Sequence, residues 1–155
     1  MNRAFFVTGT DTGVGKTLVT SALLHATRRL GLTAVGMKPI AAGVEDDGRN
    51  DDVVQLLAAS SVQPPLEWVN PYLYVLPIAP HIAAAEAGRP IAIEVIRQAF
   101  ERLRPLADVV WVEGVGGFRV PLDARTDTAD LAQHLALPVV LVVGMRLGCL
   151  NHALL

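Results

Sequence analysis

The chain has one cysteine, two lysines and no long charged or apolar run, and each shortage excludes something. A lone Cys149 cannot close an internal disulfide, which removes the disulfide-stapled secreted scaffolds. A net charge of -2 without any Lys/Arg-rich tract leaves no electrostatic footprint for nucleic acid or an anionic membrane, so a small-molecule partner is favoured. Hydrophobic residues make up 52% of the chain and mean hydropathy is +0.41, so a membrane span has to be considered. A crossing helix needs about 18 or more consecutive apolar residues. The longest stretch free of Asp, Glu, Lys and Arg runs from Trp68 to Ala85 and holds Asn70, Pro71, Pro77, Pro80 and His81, so no span is expected. No signal-peptide pattern follows Met1, and a cytoplasmic protein is expected. No His/Cys cluster has metal-ligand spacing, His25, His81 and His134 stand alone, and Cys149 has no paired base.

The 155 residues suit one domain, 1–155. Ala4-Phe5-Phe6-Val7 reads as a strand and Lys16 to Leu30 as a helix closed by Gly31, with Leu18, Ala22, Leu23, Ala26 and Leu30 at helical spacing. Thr33 to Met37 reads as a second strand, followed by a loop from Lys38 to Gly43 and a helix capped by Asp51 or Asp52. Five prolines between Ser60 and Pro80 predict a long irregular excursion, of the kind that is functional or mobile. His81 to Ala87, Ile93 to Leu106 and Thr128 to Ala136 read as helices, and Asp108 to Glu113 and Pro138 to Val143 as buried strands. Gly148 to Leu155 reads as the opening turns of a helix without a stop signal, so the chain is expected to break off inside an element. Alternating strands and long crossovers predict an α/β fold, a mainly parallel sheet with helices on both faces.

Gly9-Thr10-Asp11-Thr12-Gly13-Val14-Gly15-Lys16-Thr17 follows a strand and opens a helix. Polyphosphate binding needs converging backbone N–H groups, glycines for close approach, a helix N-terminus and a lysine for the outer phosphates, and this run supplies each. It reads as a P-loop for ATP or another nucleotide, with Thr17 placing a hydroxyl on Mg2+. Five residues rather than the usual four separate Gly9 from Gly15. Of 13 basic side chains only Lys16 and Lys38 are lysines, and Lys38 ends the second strand at the edge where such sheets bind ligands. Glu113 ends an apolar strand at the same edge, and Asp51 or Asp52 is a further carboxylate, as fit for an N-cap as for a metal. Gly114, Gly116 and Gly117 would let a ligand lie against backbone.

The P-loop, Lys38-Pro39-Ile40-Ala41-Ala42-Gly43, Asn70-Pro71-Tyr72, Pro80-His81, Val112-Glu113-Gly114-Val115-Gly116-Gly117 and Leu147-Gly148-Cys149-Leu150-Asn151-His152 occur in order along the chain. Together they resemble the dethiobiotin synthetase family. The resemblance implies a P-loop NTPase-like ligase of biotin synthesis that uses ATP and magnesium to join CO2 and 7,8-diaminopelargonic acid into the ureido ring of dethiobiotin. It implies Lys16, Lys38 and Thr12 at the reacting groups, and Gly13, Val14, Gly15, Lys16, Thr17, Glu113, Gly114, Gly116 and Gly117 around the nucleotide. It implies Thr17, Asp52 and Glu113 on the metal, and Thr12, Lys38 and Ala42 on the substrate. The substrate carboxylate is expected at Gly148, Cys149, Leu150 and Asn151 of the other subunit of a homodimer. Many members carry Glu in place of Gly13 and Ser in place of Ala42, differences expected to alter rate or affinity rather than reaction. Members also run beyond position 155, where the sheet and the adenine pocket are completed. A partition-type nucleotide switch would carry an extra lysine early in the loop, where this chain has Gly9-Thr10-Asp11, and an amide-forming ligase of the cobyrinic type would need a glutaminase domain.

Overall fold

The computed structural model describes residues 3–155. Among them, β1 (Arg3–Gly9), β2 (Ala34–Met37), β5 (Val109–Glu113) and β6 (Val139–Val142) form a parallel sheet in the order β2-β5-β1-β6. The short strands β3 (Ile40–Ala42) and β4 (Tyr72–Tyr74) pair in parallel as a second, separate sheet. The helices are α1 (Lys16–Arg29), α2 (Asp51–Ala59), α3 (Leu66–Val69), α4 (Pro80–Glu86), α5 (Ile93–Leu103), α6 (Thr128–His134) and α7 (Cys149–Leu154). A single 3-10 turn, Arg104–Leu106, extends α5.

Both faces of the main sheet are covered. Phe6, Val110 and Val112 point to one side, where Ile96, Phe100 and Leu103 of α5 and Leu131 of α6 cover them. Val7, Val109 and Trp111 point to the other, against Leu24 of α1 and Leu56 of α2. Gly36 on β2 permits this second contact, because a Cβ there would sit 3.0 Å from Leu56 and 3.2 Å from Leu24.

Four expectations need correction. The stripe from Leu18 to Leu30 on α1 does not face the core: Leu18 is 73% and Leu30 79% exposed, while Thr20, Leu24 and Thr27 are buried. The two threonines bury without orphaned hydroxyls because each donates to the carbonyl four residues back, at 2.8 Å (Thr20 to Lys16) and 2.7 Å (Thr27 to Leu23). The Lys38-to-Gly43 loop and the proline-rich excursion are not irregular throughout, since they hold β3, α3 and β4. Prolines at 71 and 77 bracket β4 without entering it, which is how so short a strand survives there.

The cap of α2 is Asn50, whose Oδ1 accepts from Val53 N at 3.3 Å. Asp51 and Asp52 instead occupy the first turn, where their charge suits the helix dipole and Asp52 is left free to face the site. Finally, β6 is not a buried strand. It pairs only with β1 among the described residues, and Val139 and Leu141 are 47% and 41% exposed. No helix of the described residues is long and apolar enough to cross a membrane.

Candidate nucleotide-binding and metal site

The parallel register brings the site together. Val7 on β1 lies beside Glu113 on β5, and Met37 on β2 lies beside Val112, so Lys38, one residue on, falls next to Glu113 at the carboxyl edge. The P-loop leaves β1 at that same edge. A cavity of about 870 Å³ opens there. Thr12, Gly13, Gly15, Lys16, Thr17, Lys38, Ala42, Asp52, Gly116 and Gly117 all line it.

The loop is built to receive an anion. Gly15 precedes α1 with φ 95, a left-handed conformation that disfavours a side chain. No side chain caps α1 and no acidic residue stands in its first turn, so its leading N–H groups remain for phosphate oxygens. Val14 turns away from the cavity and packs into backbone: a Cβ on Gly9 would lie 2.8 Å from it, and one on Gly144 only 2.6 Å. The loop after β6 is tied on further by Gly144 N, which donates to Thr10 Oγ1 at 3.0 Å, and by Arg146, paired with Asp11 at 2.5 Å. The Thr12 amide, with Arg146, holds the Asp11 carboxyl below the usual range.

Lys16 is buried and donates to the carbonyl of Asp11 at 3.0 Å. Burial and the nearby charge of Lys38 push its ammonium below the ordinary lysine range, a state that an incoming polyphosphate relieves. Lys38, 3% exposed, donates to Glu113 Oε1 at 2.6 Å and to Asp52 Oδ2 at 2.8 Å. Thr17 Oγ1 lies 2.8 Å from both Asp52 Oδ1 and Glu113 Oε1. Burial raises the Asp52 carboxyl, but Lys38 and the Thr17 hydroxyl outweigh that and hold it low. Glu113 is fully buried behind Lys38 and Thr17, and its Oε2 has no hydrogen-bond partner. Three hard oxygen groups with an orphaned buried carboxylate oxygen among them fit a magnesium ion.

Thr17, Asp52, Glu113, Lys16 and Lys38 therefore converge. Gly114 sits with them, its carbonyl accepting from Lys38 at 3.4 Å. Gly148, Cys149, Leu150 and Asn151 do not line this cavity; they open α7 beyond the exposed end of β6. Sequence reasoning noted Asn70 within a motif but gave it no role; it is a buried side chain whose Nδ2 donates to Lys38 O at 2.6 Å and to Tyr72 O at 3.1 Å. It also did not place Pro77, Ile78 and Ala79, which form an apolar wall. The proline density of that excursion was the available signal.

The family model AAA_26, an AAA domain, matches residues 3–155. The ATP-dependent dethiobiotin synthetase BioD of Aromatoleum aromaticum is 63% identical over 156 residues, covering 99% of this chain and 69% of its own. The same-named proteins of Nitrosospira multiformis and Xanthomonas oryzae pv. oryzae are 60% and 57% identical, each covered over 68% of its length. The chain belongs to the dethiobiotin synthetase family. The expectation drawn from its motifs is thereby met. Among solved structures, the signal recognition particle receptor FtsY from Elizabethkingia anophelis in complex with GDP overlays with TM-score 0.40 and 21% identity, covering 88% of this chain and 34% of that one.

Proposed function

We propose that this protein is the ATP-dependent ligase that closes the ureido ring of dethiobiotin from 7,8-diaminopelargonic acid and CO2 in biotin biosynthesis. The observation that carries the reading is the buried Lys38, 2.6 Å from Glu113 and 2.8 Å from Asp52, opening onto the same cavity as the P-loop lysine. A nucleotide site alone would need one lysine. A second one beside it supplies positive charge for a second anion, here a carbamate.

One amine of the substrate adds to CO2 and loses a proton, giving the carbamate. The carbamate oxygen attacks the γ-phosphorus and ADP leaves. The second amine then attacks the carbonyl carbon and loses a proton, the phosphate departs with the C–O electron pair and the ring closes. Backbone N–H groups from Gly13 to Thr17 hold the phosphates, and Lys16 neutralises the outer ones. Lys38 stabilises charge shared between carbamate and γ-phosphate. Thr12 and the turn from Gly114 to Gly117 position the diamine. Thr17, Asp52 and Glu113 would hold a magnesium ion, which would supply counter-charge to the phosphates. Gly13 and Ala42 bring no carboxylate or hydroxyl of their own to the walls beside the reacting groups, which bears on rate or affinity rather than on the reaction.

The reading includes a cytoplasmic homodimer in which Gly148 to Asn151 of a second copy receive the substrate carboxylate. Support for the dimer is the family resemblance. Incubating the protein with the diamine, bicarbonate, magnesium and ATP is expected to yield dethiobiotin and one ADP per ring. ATP hydrolysis without that product would sink the proposal.

A further inference from the structure

The oxygens at the base of the cavity outnumber the protons available to them. Thr17 has one hydroxyl proton, yet Oγ1 stands 2.8 Å from two carboxylate oxygens, Asp52 Oδ1 and Glu113 Oε1. It can donate to only one, so the other contact sets two lone-pair oxygens against each other. Glu113 Oε2, also buried, receives nothing. Such a surplus of acceptors is what a cation relieves. In the structure the relief comes from Lys38, whose three N–H donors meet three acceptors: Glu113 Oε1, Asp52 Oδ2 and the Gly114 carbonyl.

Among these groups the charges already balance. Lys16 and Lys38 bring two positive charges, Asp52 and Glu113 two negative ones. A divalent ion entering without phosphate would meet two buried ammonium groups and carboxylates already engaged. The backbone of Lys38 is clamped, N donating to Val69 O at 2.9 Å and O accepting from Asn70 at 2.6 Å, so yielding falls to the side chain alone.

We propose that the Lys38 ammonium is the resident counter-ion of the metal site: it occupies Asp52 and Glu113 until a divalent cation arrives with nucleotide and displaces it into the cavity. This rests on the reading that Thr17, Asp52 and Glu113 hold magnesium. Metal binding and delivery of Lys38 to the reacting anions are then one event. The protein does not present a free Lys38 before magnesium and nucleotide are both in place.

The test is the affinity of Mn2+ for the protein without nucleotide, measured by electron paramagnetic resonance in wild type and in Lys38→Met. The variant is expected to bind Mn2+ about tenfold or more tightly than wild type, since a charge of like sign has been removed from direct contact with the ligands. Mn2+ should also raise the variant's unfolding temperature more than it raises that of the wild type. Equal or weaker affinity in a folded variant overturns the proposal. Should the variant not fold, wild type labelled with carbon-13 at its lysines gives the same decision. The Lys38 signal should shift further with magnesium plus a non-hydrolysable ATP analogue than with the analogue alone, and a signal indifferent to magnesium overturns the displacement. A wild type that binds no Mn2+ even with the analogue, in excess of a Glu113→Gln control, overturns the metal site itself. A wild type that does bind it, beside a Lys38→Met variant that gains nothing, overturns only the displacement.

Discussion

Lys16 and Lys38 reach one cavity from two unlike supports. Lys16 belongs to a contiguous loop whose glycines, helix start and hydroxyl all lie within nine residues, Gly9 to Thr17. Lys38 is held by distant pieces: Val69 and Asn70 grip its backbone, while Asp52 and Glu113 grip its ammonium. Loop geometry of the first kind is local and survives small shifts elsewhere. An assembly of the second kind depends on register between strands far apart in sequence, so it is more specific and easier to damage at a distance.

The sharpest way to break this comparison is to remove each lysine in turn. Lys38→Gln is expected to lower dethiobiotin formation by about 10²–10³-fold, the usual loss for one preorganised group at developing charge, with nucleotide binding still measurable. Lys16→Gln is expected to weaken nucleotide binding itself. Equal effects of both on affinity, measured by titration with an ATP analogue, would mean that the two lysines share one role.

Asn70→Ala should cost about 1–3 kcal/mol in chemical denaturation, because the buried Lys38 carbonyl loses its donor. It should also lower kcat more than it weakens ATP binding. Loss of stability with unchanged kcat would make Asn70 purely structural.

Gly144→Ala tests the P-loop side. A Cβ there would come within 2.6 Å of Val14 Cγ1. Overpacking of this kind costs about 1–3 kcal/mol. Nucleotide affinity is expected to fall and to be restored by adding Val14→Ala. If the second change restores nothing, Val14 does not carry the strain into the loop.

Acid sensitivity should separate the regions by a smaller margin. The folded Asp52 carboxyl is held below its ordinary value, so its contribution is present above that value and is lost as pH falls through the lower one. Wild-type stability should therefore decline from about pH 4 downward, and less steeply in Asp52→Asn. Parallel slopes would show that Asp52 is no more strongly held than in the unfolded chain. The smallest effect is expected for Arg146→Ala: its pair with Asp11 is exposed and screened by solvent, so chemical denaturation should show little or no loss of stability.

What could be read without coordinates follows the same division. The P-loop, the α/β alternation, the three strands that lead to the site and the placement of Lys38 and Glu113 at one edge of the sheet were legible, because each rests on a short run with its own chemistry. The core face of α1 was misread because its buried positions include Thr20 and Thr27, whose hydroxyls are satisfied by their own helix and so mimic solvent-facing residues. The choice between Asp51 and Asp52 was undecidable from composition, since both suit the first turn of a helix.

By itself, then, the sequence determined a phosphate-binding loop on a parallel sheet and the family to which the chain belongs. Only the tertiary structure decided that Lys38 sits between Asp52 and Glu113, that Thr17 faces both carboxylates, and that Asn70 and the β3–β4 pair hold the arrangement. The reason is physical: these contacts join residues 14 to 96 positions apart, and their distances are set by strand register and by two covered sheet faces rather than by any local preference.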